Sequence, residues 1–338
     1  MLRLCKLPIP ILFLGVLVQS SFANLPTCSS ALSVNAGKYI SLDGVLIAKG
    51  DVAFSPYSST SLYGTGAFDT ARIYRHSSGR LAAFRLMDHI ERLSGACTIA
   101  GVPLTVSTSI IRDQVAATVK ANGFGDSFVR VSVFLGEGPV GLLIPTDASK
   151  HALVLNWEWG QYHGTKGTSE GIKAHVSRFQ RQHGYEANAK LIGNYAMAAI
   201  ARGEAARLGY GEAILADASG NIAEATGENV FIVKDGKLVT PPPGAILMGV
   251  TRSTVQWLSE RNAIAHSEKN FDVSALLSAD EIFLTGTAAE IVPVTNVDGT
   301  QIGNGTPGPV TRRLQSDYHK LVHGELVGAP AEWFTFID

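Results

Sequence analysis

From Lys38 onward the chain alternates short apolar runs with amphipathic stretches, punctuated by tight-turn dipeptides such as Asp43-Gly44, Asn122-Gly123, Ser219-Gly220 and Asp235-Gly236. Runs with a period of two read as strands and runs with a period near 3.6 as helices. That alternation points to an α/β architecture. Lys38–Ala48 reads as a hairpin turning at Asp43-Gly44, and Ala67–Tyr74 pairs with Arg80–Phe84 around residues 76–79. Helices follow at Leu86–Gly101, with Ile90, Leu93 and Cys97 on one stripe, and at Ser107–Asn122. Strands follow at Phe128–Leu135 and Ala152–Trp157. The polar, glycine-rich stretch Gly160–Gly171 reads as a linker. It separates a small α/β domain at 38–159 from a larger mixed α/β domain at 172–338. The second region reads as strands at Ile172–Ser177, Ala213–Ala216, Ile222–Glu224, Asn229–Val233, Lys237–Val239 and Glu281–Thr285. Its helices are Asn194–Leu208, Thr251–Arg261 and Gly308–Val322.

Composition removes several classes. A length of 338 residues suits about two domains. With 46% hydrophobic and 17% charged residues the chain is neither disordered nor a coiled coil. Its net charge of −1 argues against a nucleic-acid binder. The three cysteines, Cys5, Cys28 and Cys97, form no CxxC pair, so neither a disulfide scaffold nor a cysteine metal site is implied. Residues 1–23 have the layout of a secretory signal peptide: Arg3 and Lys6, the apolar run Leu7–Val18, then Ser21-Phe22-Ala23. A mitochondrial presequence and an upstream start codon are rival readings, and 24–37 reads as an extension. The apolar run is too short for a membrane span.

Six places could carry chemistry. Gly249-Val250-Thr251 opens a helix, whose free N–H groups and positive dipole end suit a phosphate or an ordinary N-cap alike. Gly286-Thr287 after an apolar strand has the same dual reading. Lys190 lies among small and apolar neighbours, where a desolvated amine can form a Schiff base, or it is a solvated lysine. Glu224 ends a short strand where burial would demand a cationic partner, with Glu228 a competitor. Arg92 reads as a surface helix arginine, whereas Arg130 interrupts an apolar strand and points either to a cleft or outward.

Taken in order, six strings resemble the class IV (fold type IV) pyridoxal-phosphate-dependent aminotransferases, most closely the branched-chain amino acid aminotransferases. They are Tyr63–Asp69, His89–Leu93, Lys190–Tyr195, Glu224–Phe231, Gly249–Arg252 and Gly286–Glu290. The resemblance implies a D-amino acid aminotransferase-like fold and pyridoxal 5'-phosphate as cofactor. Lys190 would carry the cofactor and move the proton at the substrate α-carbon. Glu224 would pair with the pyridine nitrogen and Tyr195 with the ring oxygen. Arg92, the backbone at Gly249, Val250 and Thr251, and the Thr287 hydroxyl would hold the phosphate. Tyr63, Phe68, Arg72, Phe128, Arg130 and Trp159 match substrate-pocket positions, with Arg130 on a distal carboxylate and Thr287-Ala288 on the α-carboxylate.

Three positions depart from the branched-chain pattern: Asp69 and Thr70 stand where Glu-Gly is usual, and Phe128 where Tyr is usual. They bear on side-chain preference rather than on the cofactor. The implied activity is transamination between L-branched-chain amino acids and 2-oxoglutarate. Alternatives are a D-amino acid aminotransferase or aminodeoxychorismate lyase on the same fold, or a catalytically silent secreted binding protein. The family further implies a homodimer, with Tyr63 and the loop Gly138–Pro145 reaching across, and a cytoplasmic or mitochondrial setting.

Overall fold

The hairpin at the start of the chain forms as its turn residues require. Asp43 and Gly44 both take positive φ, 52° and 88°, the primed turn that matches strand twist. Strands Tyr39–Leu42 and Val45–Ala48 pair across it. The computed structural model describes residues 34–337 except 53, 105, 145–147 and 183. The leader expected at 1–23, most of the extension, Cys5, Cys28 and Pro145 lie outside the described residues.

The first sheet has eight strands. Its order runs Phe334–Ile337, Leu81–Phe84, Ala67–Arg75, Ser127–Leu135, Lys150–Glu158, Tyr39–Leu42 and Val45–Ala48, with Asn35–Ala36 beside Lys150–Glu158. Alternation along its two central strands divides the residues by face. Ala67, Ala71 and Ile73 with Val129, Val131 and Val133 pack on helices Leu86–Ile99 and Thr108–Asn122 through Ile90, Leu93, Ile111 and Val115. Phe68, Thr70 and Arg72 point the other way. The register sets them opposite Ser132, Arg130 and Phe128. Asp69 therefore falls on the buried helix side and needs partners there.

The second sheet has nine strands. Ile222–Ala225, Glu212–Ala216, Ile172–Gln180, Glu290–Val297, Glu281–Gly286 and Asn229–Lys234 follow in order, and the last pairs back to the first, closing a ring. Lys237–Thr240 and His266–Glu268 extend it, and Thr300–Gln301 pairs beside Glu290–Val297. Helix Val250–Arg261 and helix Pro309–Val322 pack on it around Phe231, Phe283, Leu258 and Leu314.

The polar stretch 160–171 is not bare linker: Gly164–Glu170 is helical. Glycine argues against a helix, but Gly167 answers packing. A Cβ on Gly167 would come within 2.9 Å of His163 Cβ and 3.1 Å of Ile172 Cγ2. The region 172–338 is likewise not confined to the second sheet, because Phe334–Ile337 returns to pair with Leu81–Phe84. Strand Glu290–Val297 escapes the pattern because Pro293 interrupts it. The structure accommodates Pro293 because pairing with Ile172–Gln180 begins only at Val294. Among the described residues no helix is long and apolar enough to cross a membrane.

Candidate active site

The segment carrying Lys190 is tied to the first sheet. Phe68 N–H donates to Lys190 O at 3.0 Å, and Ile192 N–H donates to Gly66 O at 3.0 Å. Gly66 is required for this approach. Its φ is +122°, and a Cβ there would sit 2.6 Å from Val133 O. Lys190 Nζ then reaches Tyr195 Oη at 2.6 Å, and both rest against Phe68, at 5.0 Å from Nζ to the ring and 4.8 Å between rings.

Lys190 and Tyr195 open into a cavity of about 340 Å³. Arg92, Glu224, Gly249, Val250, Thr251 and Thr287 also line it. All eight residues assigned to the cofactor thus share one site, from both halves of the chain. Glu224 is buried. Arg181 Nε donates to its Oε1 at 2.7 Å, while Asn229 Nδ2 and Leu247 N–H donate to Oε2 at 3.1 and 2.9 Å. Burial pushes the carboxyl up, and Arg181 and the Leu247 N–H work in the opposite sense. Three donors on a group that can only accept when ionised favour the carboxylate.

Helix Val250–Arg261 starts at Gly249 with no side-chain cap, so its first-turn N–H groups are available beside the positive dipole end. Gly249 cannot be larger, since a Cβ would collide with Asn229 Oδ1. Arg92 adds charge. Its Nε and Nη2 donate to the two Asp69 oxygens at 2.7 and 2.8 Å, and Nη1 donates to Met248 O at 2.9 Å. Nη2 also lies 3.3 Å from His89 Nδ1, so of the five N–H bonds on a guanidinium one on Nη1 remains for an anion. Burial works to raise the Asp69 carboxyl, but Arg92 and His89 outweigh it and hold it well below the carboxylate range. His89 Nδ1 lies 2.8 Å from Asp69 Oδ1.

The substrate assignments divide. Arg130 stacks 3.6 Å from the Phe68 ring, donates from Nε to Ser132 Oγ at 3.2 Å, and has no carboxylate partner among the described residues. Phe128 meets Trp159 edge-on at 5.4 Å. Arg72 is instead occupied: it pairs with Glu290 at 2.9 Å and lies over Tyr74 and Phe128 at 5.1 and 4.9 Å. Of the substrate positions only Thr287 lines the cavity itself. Tyr63 is 41% exposed and Ala288 is not among the cavity-lining residues.

Sequence reading missed Arg181, which holds Glu224, and Thr285, whose buried Oγ1 at the cavity wall has no partner. The signal for Arg181 was the need of a buried Glu224 for a cation. Nothing local distinguished Arg181 from other surface arginines.

Residues 66–297 match the amino-transferase class IV family. The chain belongs to the class IV aminotransferases. It is 37% identical over 297 residues to the branched-chain-amino-acid aminotransferase of Pseudomonas aeruginosa, covering 87% of this chain and 96% of that one. The Escherichia coli branched-chain amino acid aminotransferase structure superposes with a TM-score of 0.87 at 33% identity, covering 89% of this chain and all of that one. The T.th. branched-chain amino acid aminotransferase, solved with pyridoxamine 5'-phosphate, gives 0.86 at 30% identity over 90% of this chain and all of that one. The same T.th. protein has also been solved with N-(5'-phosphopyridoxyl)-L-glutamate and with 4-methylvaleric acid.

Proposed function

We propose that this class IV enzyme is a pyridoxal-phosphate-dependent transaminase that exchanges the amino group between L-leucine, L-isoleucine or L-valine and 2-oxoglutarate by a ping-pong cycle. The observation that carries the reading is the convergence on one cavity of Lys190, hydrogen-bonded to Tyr195 at 2.6 Å, with Glu224 and an uncapped helix start. The donor set fits the cofactor. The Val250 helix start, the spare Arg92 Nη1 N–H and the Thr287 hydroxyl suit a phosphate. The Glu224 carboxylate suits a protonated ring nitrogen. The partnerless Thr285 Oγ1 marks polar space that a ligand would satisfy.

When bound, pyridoxal phosphate supplies an electron-accepting ring that stabilises charge left on the substrate α-carbon. The chain supplies the rest. Lys190 is the nucleophilic amine and the group that takes and returns the α-carbon proton. Tyr195 holds Nζ in place. Glu224, fixed on both oxygens, keeps negative charge at a constant position in the cavity. Arg130, charged, stacked on Phe68 and without an acid, is suited to the distal carboxylate of the dicarboxylate substrate. The resemblance assigns Phe68, Phe128 and Trp159 to the branched side chain, and of these Phe68 lies against Lys190. The glutamate adduct and the 4-methylvalerate complex of the T.th. relative support this pairing of substrates.

The test is the visible absorption of purified protein titrated with L-leucine. A lysine-bound cofactor band that L-leucine discharges and 2-oxoglutarate restores is the expected result. A band unchanged by L-leucine but discharged by D-amino acids overturns the branched-chain reading and keeps the cofactor. Absence of any band, with no adduct on Lys190 after borohydride, overturns both.

We further propose a homodimer. Val140, Leu142 and Leu143 are 67%, 83% and 86% exposed in the loop expected to reach a partner, and large apolar side chains in water favour a covered surface. Light scattering of the pure enzyme tests it. We propose that the enzyme acts in the cytoplasm, or in mitochondria of a eukaryotic source. N-terminal sequencing of protein from its own cell tests the fate of residues 1–23.

A further inference from the structure

A second cluster of buried titratable groups adjoins the cavity, and transamination makes no direct use of it. His163 Nε2 lies 3.0 Å from Glu228 Oε1 and 4.0 Å from Glu212 Oε2. Arg202 Nη1 pairs with Glu212 Oε2 at 2.6 Å, so a cation is already present. The His163, Glu212 and Glu228 side chains are 3%, 0% and 2% exposed. Burial lowers the imidazole to about 4 and lifts Glu212 to about 7. A neutral imidazole carries one N–H. When Glu228 is ionised, the tautomer protonated at Nε2 donates the bond to it.

The cluster touches both flanks of the site. His163 ends a ladder of edge-on rings: Phe128 to Trp159 at 5.4 Å, Trp159 to Tyr162 at 5.2 Å, and Tyr162 to His163 at 4.8 Å. Trp159 Nε1 is buried without a hydrogen-bond partner. On the other side Glu228 lines the cavity. Its Cγ lies 3.2 Å from where a Gly286 Cβ would stand, under the turn that leads to Thr287. One hydrogen bond therefore links the crossing segment between the sheets to the turn beside the cavity.

We propose that His163 is a positioning residue: through its hydrogen bond to Glu228 it holds Trp159 in register with the Thr287 turn and so sets the pocket for the amino-acid side chain. This rests on the reading that Phe128 and Trp159 wall that pocket. Tyr162 and His163 sit at the base of the wall and Glu228 at the base of the turn. Losing the bond lets the wall shift without altering Lys190, Tyr195 or Glu224. Small displacements of positioning groups weaken binding selectively.

The experiment measures calorimetric binding of 4-methylvalerate, a leucine-shaped carboxylate that cannot react, to the cofactor-loaded protein, alongside KM and kcat for L-leucine. His163→Leu is expected to raise Kd and KM about ten-fold with kcat within about two-fold, the loss of roughly one hydrogen bond's worth of pocket order. His163→Gln, whose Nε2 can still donate to Glu228, is expected to restore both to within about three-fold. Trp159→Ala is the control for the underlying reading. If Trp159→Ala weakens 4-methylvalerate and His163→Leu does not, the positioning role is overturned and the pocket stands. If Trp159→Ala has no effect, the pocket assignment fails and the positioning role with it. Should His163→Leu not fold, His163→Asn, too short to reach Glu228, makes the same comparison.

Discussion

Replacing Asp69 by Asn removes the negative charge from a pair that is almost wholly enclosed. The Asp69 and Arg92 side chains are 3% and 14% exposed, with their closest atoms at 2.7 Å. Two routes give the size of the loss. Opposite charges about 4 Å apart at an effective dielectric near 20 attract by about 4 kcal/mol. Removing one partner of a buried pair commonly costs about 3–5 kcal/mol, because the other charge stays buried and unanswered. The expected loss for Asp69→Asn is therefore about 3–5 kcal/mol, read as a lower urea midpoint at pH 7 in protein stripped of cofactor. Asp69→Glu keeps the charge and separates it from shape. The pH course has a definite sign. The native carboxyl is held below its ordinary 3.8, so its stabilisation is complete above that value. It is lost as pH falls from there toward the depressed native value. The gap between wild type and variant should be flat from about pH 5 to 8 and close only in acid. Added inorganic phosphate should narrow the gap, since Arg92 then gains an anion. A loss below about 1 kcal/mol at pH 7 would refute the claim that Arg92 depends on Asp69 for its counter-charge.

Other expected outcomes follow from the same geometry. Arg130→Leu should raise KM for 2-oxoglutarate by about 10–100-fold, the value of a charged hydrogen bond, while single-turnover discharge of the cofactor band by L-leucine stays within about three-fold. Equal damage to both half-reactions would remove Arg130 from the distal carboxylate. Glu212 sits near 7 instead of 4.5, chiefly through burial and then Glu228. The native state thus holds its proton more tightly than the unfolded chain, and that stabilisation is lost as pH rises from 4.5 through 7, by about 3 kcal/mol. A Glu212→Gln variant should show a flatter stability profile between about pH 5 and 8, measured by urea titration, and an unchanged slope would count against it. Gly66→Ala should cost roughly 2–4 kcal/mol, because φ of +122° is closed to alanine and its Cβ would press on Val133 O. A melting temperature within about 2 °C of wild type would show that the chain relaxes there.

The α/β alternation, the Asp43-Gly44 hairpin, helix Leu86–Ile99 and the eight residues gathered at the cofactor cavity were all legible in the sequence. The eight residues were assigned through the resemblance of six strings to a known family; the alternation, the hairpin and the helix rest on local chemistry, a turn dipeptide or a hydrophobic period. Such signals survive translation along the chain because the residues that carry them are neighbours. What the cavity does with them was settled by contacts over long separations. Arg181 reached Glu224, and Asp69 fell on the helix side of its strand and captured Arg92. Arg72, assigned to substrate, was taken by Glu290. The helix at Gly164–Glu170 and the return of Phe334–Ile337 to the first sheet escaped the pattern for the same reason. A glycine that reads as flexible in one dimension is required by close packing in three, and an edge strand has no period to announce its partner. Which cation answers a buried carboxylate depends on which elements the fold brings within about 3 Å, and charge alone, identical for every arginine in the chain, does not specify that.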